Sequence, residues 1–250
     1  MSGFEMSGAG LRGQLVVFEG VEGAGKSTQL QSLRHWLEQS GWQSWLQQRV
    51  GTAVPPIVVT REPGGTELGQ QLRRLLLDSS LTEGEGLWDR TELLLYAADR
   101  AQHVQKVLKP AIAQGALVLC DRFTDSTIAY QGYGRGFDLD LICQLNAIAT
   151  MGLESDLTLW LDLEVQQGLQ RAQARAQADQ PEGLKGKDRM ESADLSFHQR
   201  VQQGFRAIAQ DEPHRMVRIE ASLSEVQVAG QIQAVMEEYL QKWYPQRLNP

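Results

Sequence analysis

The chain has 250 residues, of which 42% are hydrophobic and 22% are charged, a composition that suits one globular domain with a continuous core. Its formal net charge of −7 implies no large basic face, which argues against a protein that coats nucleic acid or an anionic membrane. Two cysteines without metal or redox spacing, and the lack of any apolar run near about 18 residues, favour a soluble protein of the reducing cytosol.

The first predicted strand, Leu15 to Phe18, leads directly into a glycine-rich loop. Residues 20–27 fit GxxxxGK[ST] without exception, which is the pattern of a phosphate-binding loop between a strand and a helix. Its glycines let backbone N–H groups point at phosphate oxygens, while the lysine and serine supply a cation and a Mg²⁺ ligand. The predicted ATP-binding residues are Gly20, Val21, Glu22, Gly23, Ala24, Gly25, Lys26, Ser27 and Thr28.

A helix is predicted after this loop, from Gln29 to Ser40, because leucines at 30, 33 and 37 share one helical face. Gly41 is expected to end it. Residues 46–56 are polar and contain two prolines, so they are predicted to form a connecting loop.

The second predicted strand, Ile57 to Thr60, ends at Arg61 and the motif REPGGT. Parallel α/β sheets place their ligand loops at the carboxyl ends of strands, and an arginine there offers a planar fork to a phosphate. A plain turn with a surface arginine is the alternative. A helix is predicted from Glu67 to Asp78.

A long helical pattern runs from about residue 87 to residue 114, and Pro110 is expected to kink or break it. Tyr96 and Arg100 are four residues apart and therefore share one face. Such a pair is usually a core aromatic with a surface charge.

The third predicted strand, Ala116 to Cys120, ends on Asp121, as in a Walker B arrangement. Residues 121–136 are polar and small enough to line a pocket. Further helices are predicted at 138–151, 165–177, 189–210 and 224–243, and further strands at 157–163 and 216–219.

The segment 178–187, ADQPEGLKGK, interrupts two helices with one proline, two glycines and two lysines, and we predict a mobile basic flap there. Strands that alternate with helices, beginning with a phosphate loop, predict an α/β fold: a five-stranded parallel sheet with helices on both faces. No internal repeat or domain boundary is found.

Four ordered motifs, FEGVEGAGKST, TREPGGTELGQQLRRLLL, ELLLYAADRAQ and DRFTDSTIAYQGYGRG, closely resemble those of the thymidylate kinases. The resemblance covers roughly residues 13–244. It implies a P-loop nucleoside monophosphate kinase that phosphorylates dTMP with ATP and Mg²⁺ in dTTP synthesis, generally as a homodimer. The dTMP-binding residues that it implies are Arg61, Pro63, Arg73, Tyr96, Arg100, Asp121, Arg122, Ser126, Thr127, Tyr130 and Gln131.

The resemblance also implies individual roles in dTMP binding. Arg73 and Arg122 hold the phosphate, and Arg100 and Thr127 read the thymine. Tyr96, a tyrosine where phenylalanine is usual in the family, stacks on the base.

Phosphoryl transfer depends on positioned positive charge rather than on a protein nucleophile. Some members of the family carry an arginine inside the phosphate loop, whereas residues 22–25 here contain none. The predicted catalytic residues are Lys26, Glu22 and three arginines around the flap, Arg171, Arg175 and Arg189. The predicted Mg²⁺ ligands, partly through water, are Ser27, Glu22 and Asp121.

Two other functions remain open at this point. A kinase for another nucleoside monophosphate, or for a bare nucleoside, would share the phosphate loop, although paired arginines favour a nucleotide acceptor. A nucleotide-dependent switch would need an NKxD guanine motif, which the chain's two asparagines, Asn146 and Asn249, do not form.

The expected domain organisation is a disordered extension at 1–12, one kinase domain at 13–245 with a lid at about 171–190, and a tail at 246–250. We expect dTMP, ATP and a second copy of the chain as partners, and no nucleic acid or membrane.

Overall fold

A computed structural model describes residues 12–50, 53–77, 86–178 and 194–247, with the side chains of 175–178 excluded. The strands are β1 (Gln14–Glu19), β2 (Ile57–Arg61), β3 (Leu117–Asp121), β4 (Leu157–Asp162) and β5 (Met216–Glu220). The helices are α1 (Lys26–Gln39), α2 (Trp42–Gln47), α3 (Glu67–Leu77), α4 (Asp89–His103), α5 (Lys109–Ala113), α6 (Thr124–Thr127), α7 (Leu139–Thr150), α8 (Val165–Ala178), α9 (Leu195–Asp211) and α10 (Glu225–Trp243).

The five strands form one parallel sheet in the order β2-β3-β1-β4-β5, which confirms the predicted fold class. Every residue of β1 and β4 is buried, as expected for strands that helices cover on both faces. Helix α1 packs against α10, and α9 packs against the π-helical segment 128–134. The core therefore extends through the centre of the sheet.

The predicted helix and strand positions agree with the structure to within a few residues at most described ends, with one exception near Gly41. Residues 46–56 were predicted as a loop, but α2 already extends to Gln47. Trp42 and Leu46 are both buried, and Trp42 packs on Tyr244 at a ring distance of 6.2 Å. Packing against the C-terminal region stabilises this short helix.

The long α-helical pattern is interrupted just before Pro110, where a kink or break was predicted. The chain changes from α4 to a π-helical segment, Val104–Leu108, and α5 then begins with Pro110 in its first turn. A proline ring clashes with the carbonyl four residues earlier, and a proline in the first helical turn needs no N–H donor. The widened turn immediately before the proline fits that restriction.

Residues at both ends of the predicted domain contact the rest of the structure. Arg12 forms an ion pair with Asp156 at 3.0 Å, while the rest of the extension lies outside the described residues. Arg247 donates to the Ser40 carbonyl at 2.7 Å and lies 3.7 Å from the Trp42 ring centroid. These contacts hold Arg247, in the predicted tail, against the end of α1 and the start of α2. No helix in the described ranges is long and apolar enough to cross a membrane.

Candidate active site

Three loops meet at the carboxyl edge of the sheet because β1 and β2 flank β3. Phe18 and Arg61 are both paired with Asp121 in the parallel ladders. The phosphate loop after β1, the REPGGT turn after β2 and the segment after β3 therefore lie side by side, where parallel sheets bind ligands.

The phosphate loop, residues 20–28, has the conformation that its glycines allow. Gly23 and Gly25 have φ angles of 71° and 90°, which side chains disfavour. The Lys26 ammonium donates to the carbonyls of Gly20 and Val21 at 3.1 and 3.0 Å. Burial and the nearby Arg122 guanidinium lower the pKa of Lys26. The Lys26 ammonium is therefore held by hydrogen bonds to the backbone of its own loop.

The phosphate loop is also in close backbone contact with α8, the helix that leads into the predicted lid. A Cβ atom on Gly23 would overlap the Gly168 carbonyl, and one on Gly168 would overlap the Glu22 carbonyl. Glycine is the residue that permits such close approach of two backbones. The first turn of α8 is therefore fixed against the phosphate loop.

Arg122 connects the phosphate loop to the neighbouring pocket. Its guanidinium donates to the Gly20 carbonyl at 3.2 Å, to Glu22 at 2.5 Å and to Tyr130 at 3.2 Å. Burial alone would raise the pKa of Glu22, but Arg122 and Lys26 outweigh burial and lower it to about 2. Arg122 has a φ of 71°, and strained backbone of this kind clusters at functional sites.

Glu19, the last residue of β1, holds the segment after β3 in place. Its carboxylate accepts from the backbone N–H groups of Phe123 and Ser126 at 2.8 and 3.1 Å and from the Ser126 hydroxyl at 2.6 Å. Complete burial raises the pKa of Glu19 to about 7, despite the opposing charge of Arg122. Glu19 was not predicted as a site residue, although its place as an acid at the end of a buried strand was a signal for it.

A pocket lies between the phosphate loop, the REPGGT turn, α4 and the segment after β3. It brings together ten of the predicted site residues, Glu22, Pro63, Arg73, Tyr96, Arg100, Arg122, Ser126, Thr127, Tyr130 and Gln131. We call it the acceptor pocket. Both arginines predicted to bind the phosphate of dTMP line it.

The Arg100 side chain is held in the acceptor pocket by four hydrogen bonds. It donates from Nε to Glu62 at 2.8 Å, from Nη1 to Thr127 and Asn146 at 2.7 Å each, and from Nη2 to the Phe123 carbonyl at 2.9 Å. Arginine has five N–H donors, so within the described chain one N–H on Nη2 remains. Neither Glu62, a member of REPGGT, nor Asn146 was predicted as a site residue.

Gln131 is fixed in a similar way. Its Nε2 donates to the buried Glu92 carboxylate at 2.7 Å, which is also bound by Arg135 at 2.7 Å. A carboxylate can only accept, and only the nitrogen of the Gln131 amide can donate to it. The orientation of the Gln131 amide is therefore determined. Its Oε1 is buried with no hydrogen-bond partner in the described chain.

Arg61 and Asp121 line a neighbouring cavity with Ser27, and not the acceptor pocket. The Ser27 hydroxyl donates to Asp121 at 2.8 Å, whereas Glu22 faces Arg122 and Tyr130. A hydroxyl and one carboxylate suit Mg²⁺, which keeps several waters and binds substrate phosphates. Among the described residues, no group of three or more acidic, histidine or cysteine side chains is arranged so that it could hold a metal ion.

The predicted lid arginines are only partly described. Arg171 donates to the Ala221 carbonyl at 3.2 Å. Arg175 belongs to α8, but its side chain lies outside the description, as do Arg189 and the whole flap 178–187 apart from the backbone of Ala178.

Comparison with known proteins gives consistent matches. A family model described as thymidylate kinase matches residues 18–232. Thymidylate kinases of Cyanothece sp. and Acaryochloris marina are 59% and 54% identical, over 94% and 93% of this chain and 98% and 99% of their own lengths. The crystal structure of thymidylate kinase from Ehrlichia chaffeensis matches with a TM-score of 0.66 and 32% identity, over 90% of this chain and 98% of that one.

Proposed function

The chain belongs to the thymidylate kinase family and phosphorylates dTMP in nucleotide synthesis, and we propose here how its residues divide that reaction. Members of the family use ATP, generally with Mg²⁺. The observation that carries the proposal is the position of Arg122, whose guanidinium contacts the phosphate loop and lines the acceptor pocket. One cation thus adjoins both places where phosphate is expected.

Arg122 and Arg73 hold the phosphate of dTMP. An oxygen of that phosphate attacks the γ-phosphorus of ATP, a new P–O bond forms, and the bond to the leaving ADP oxygen breaks. The residues position the two substrates in line and stabilise the spreading negative charge. Arg122 and Lys26 are the described cations best placed for this, because both contact the Gly20 carbonyl.

The base of dTMP is read by hydrogen bonds and stacking. The remaining Arg100 N–H donates to the carbonyl at position 4 of thymine, and Gln131 Oε1 accepts from the ring N3–H. Thr127 lies beside them, and its hydroxyl can accept or donate. Tyr96 is half-buried in the pocket wall and stacks on the ring.

Ser27 and Asp121 would hold Mg²⁺, partly through water. When bound, the metal supplies charge that neutralises the phosphates of ATP. Arg61, in the same cavity as Ser27, adds a further positive charge beside these phosphates. We propose that Glu22 orients Arg122 and is not a metal ligand, since the two form an ion pair.

The catalytic charge that the phosphate loop lacks comes from the lid, at about residues 171–190. Arg171 and Arg175 belong to α8, and Arg189 follows in the chain. Because α8 begins in contact with the phosphate loop, the lid arginines on this helix belong to an element whose first turn is fixed in position.

The enzyme acts as a homodimer. Leu94 on α4 and Leu141, Ile148 and Met151 at α7 are 50% to 74% exposed, and α4 packs on α7. Exposed apolar patches of this kind mark protein interfaces. Sedimentation velocity should show a dimer, and Ile148→Glu should convert it to a monomer.

The free cysteines Cys120 and Cys143 are consistent with a single folded kinase domain in the reducing cytoplasm.

A coupled assay of ADP release tests the acceptor assignment. Wild-type enzyme with ATP and Mg²⁺ should turn over dTMP fastest, dUMP more slowly, and dCMP, dGMP and thymidine hardly at all. Thymidine lacks the phosphate that Arg73 and Arg122 bind, so it separates a nucleotide kinase from a nucleoside kinase. Turnover of thymidine or dGMP as fast as dTMP would contradict the assignment.

A further inference from the structure

We propose that Asn146 and Glu92, two buried side chains behind the acceptor pocket, set its pyrimidine specificity by fixing the donor of Arg100 and the acceptor of Gln131. This inference rests on the base contacts proposed above. It makes Asn146 and Glu92 positioning residues, since each acts through the side chain that faces the substrate.

Thymine and uracil present a carbonyl at position 4 and an N–H at position 3, whereas cytosine presents an amino group and an unprotonated ring nitrogen. A pocket that offers one fixed donor to position 4 and one fixed acceptor to position 3 therefore accepts thymine and uracil. It rejects cytosine, because two donors then face each other and two acceptors face each other.

Arg100 meets the first requirement only while its guanidinium cannot rotate. Its bonds to Glu62 and Phe123 hold the Nε and Nη2 side, and Asn146 with Thr127 holds Nη1. Thr127 alone does not fix the direction of the Nη1 hydrogens, because its hydroxyl can donate or accept. The Asn146 carbonyl, on a residue 7% exposed, is therefore the fixed acceptor that α7 supplies to Nη1.

Gln131 meets the second requirement only while its amide does not flip. Glu92, 1% exposed, is acceptor-only as a carboxylate, so it takes the Nε2 hydrogen at 2.7 Å and leaves Oε1 for the substrate. Arg135 binds the same carboxylate through Nε and Nη2, which holds it in place.

The test compares kcat/KM for dTMP, dUMP and dCMP in wild type and four variants. Asn146→Leu and Asn146→Ala remove the acceptor, whereas Asn146→Asp retains one and serves as the matched control. Glu92→Leu removes the carboxylate that accepts from Gln131 Nε2, so the Gln131 amide is no longer held and can turn its own NH₂ toward the base. Thermal melts establish that each variant is folded.

We expect the dTMP/dCMP ratio to fall about tenfold in Asn146→Leu, Asn146→Ala and Glu92→Leu, and to stay close to wild type in Asn146→Asp. The dTMP/dUMP ratio should not change in any variant, because both bases present the same edge. Equal losses for dTMP and dCMP would mean a merely structural role and would overturn the inference.

Two further results have a defined meaning: a variant that does not fold, and a wild type that does not prefer dTMP. If Glu92→Leu fails to fold because Arg135 loses a charged partner, the Asn146 variants decide, and unaltered ratios in them overturn the proposal. A wild type that failed to prefer dTMP over dCMP would instead refute the base contacts proposed above, so the two failures are distinguishable.

Discussion

Gly168→Ala should damage catalysis although it lies in a helix, where alanine is normally the more stable residue. The added Cβ would overlap the Glu22 carbonyl, and ordinary contact begins at 3.4 Å. Restoring that contact requires α8 and the phosphate loop to separate by about 1 Å. Misplacement of about 1 Å in a catalytic site can cost about 10²-fold in rate. We therefore expect kcat to fall about 10²-fold.

Gly230→Ala in α10 is the matched control. A Cβ there meets no described atom within 4 Å apart from the neighbouring residues and backbone of its own helix, so the substitution should add about 1 kcal/mol of stability through helix propensity and leave kcat unchanged. Steady-state kinetics with dTMP and ATP, together with urea unfolding, distinguish the two variants. A Gly168→Ala enzyme with kcat within about threefold of wild type would refute the argument that this contact positions the lid helix.

Three further predictions concern single side chains. Tyr96→Phe should leave the KM for dTMP nearly unchanged and Tyr96→Ala should raise it about tenfold, since stacking needs a ring; equal losses would implicate the hydroxyl. Arg175→Ala should lower kcat about 10²-fold with little change in the ATP dissociation constant, and isothermal titration showing weaker ATP binding with normal kcat would make Arg175 a clamp. Burial raises the pKa of Glu19 from 4.5 to about 7, so the folded state holds its proton longer than the unfolded state and the free energy of unfolding should fall as pH rises through that window. Urea unfolding of Glu19→Gln should lack this fall, and identical pH profiles would disprove the assignment.

The fold and much of the site could be predicted from local patterns in the sequence. The phosphate loop is recognisable because its spacing is a local requirement of backbone geometry, and β1 and β3 are recognisable because strands buried on both faces are short apolar runs. Parallel topology then places the ends of β1, β2 and β3 at one edge, so residues from all three motifs could be assigned to one site. Ten of the predicted residues do line the acceptor pocket.

Pairs of residues distant in the chain could not be predicted in this way. Arg100 reaches Asn146 across 46 residues, and neither residue carries a local signal for the other. Arg61 and Glu22 were assigned to sites by motif, but the structure places Arg61 beside Ser27 and Glu22 against Arg122.

The sequence by itself determined which loops carry the phosphate chemistry, because glycine spacing and apolar periodicity act within a few residues. Only the tertiary structure decided that α2 is helical, through packing of Trp42 on Tyr244, and that Gly168 faces Gly23. It also decided which buried acceptors orient the pocket, because a buried donor must find a partner wherever the fold brings one within reach.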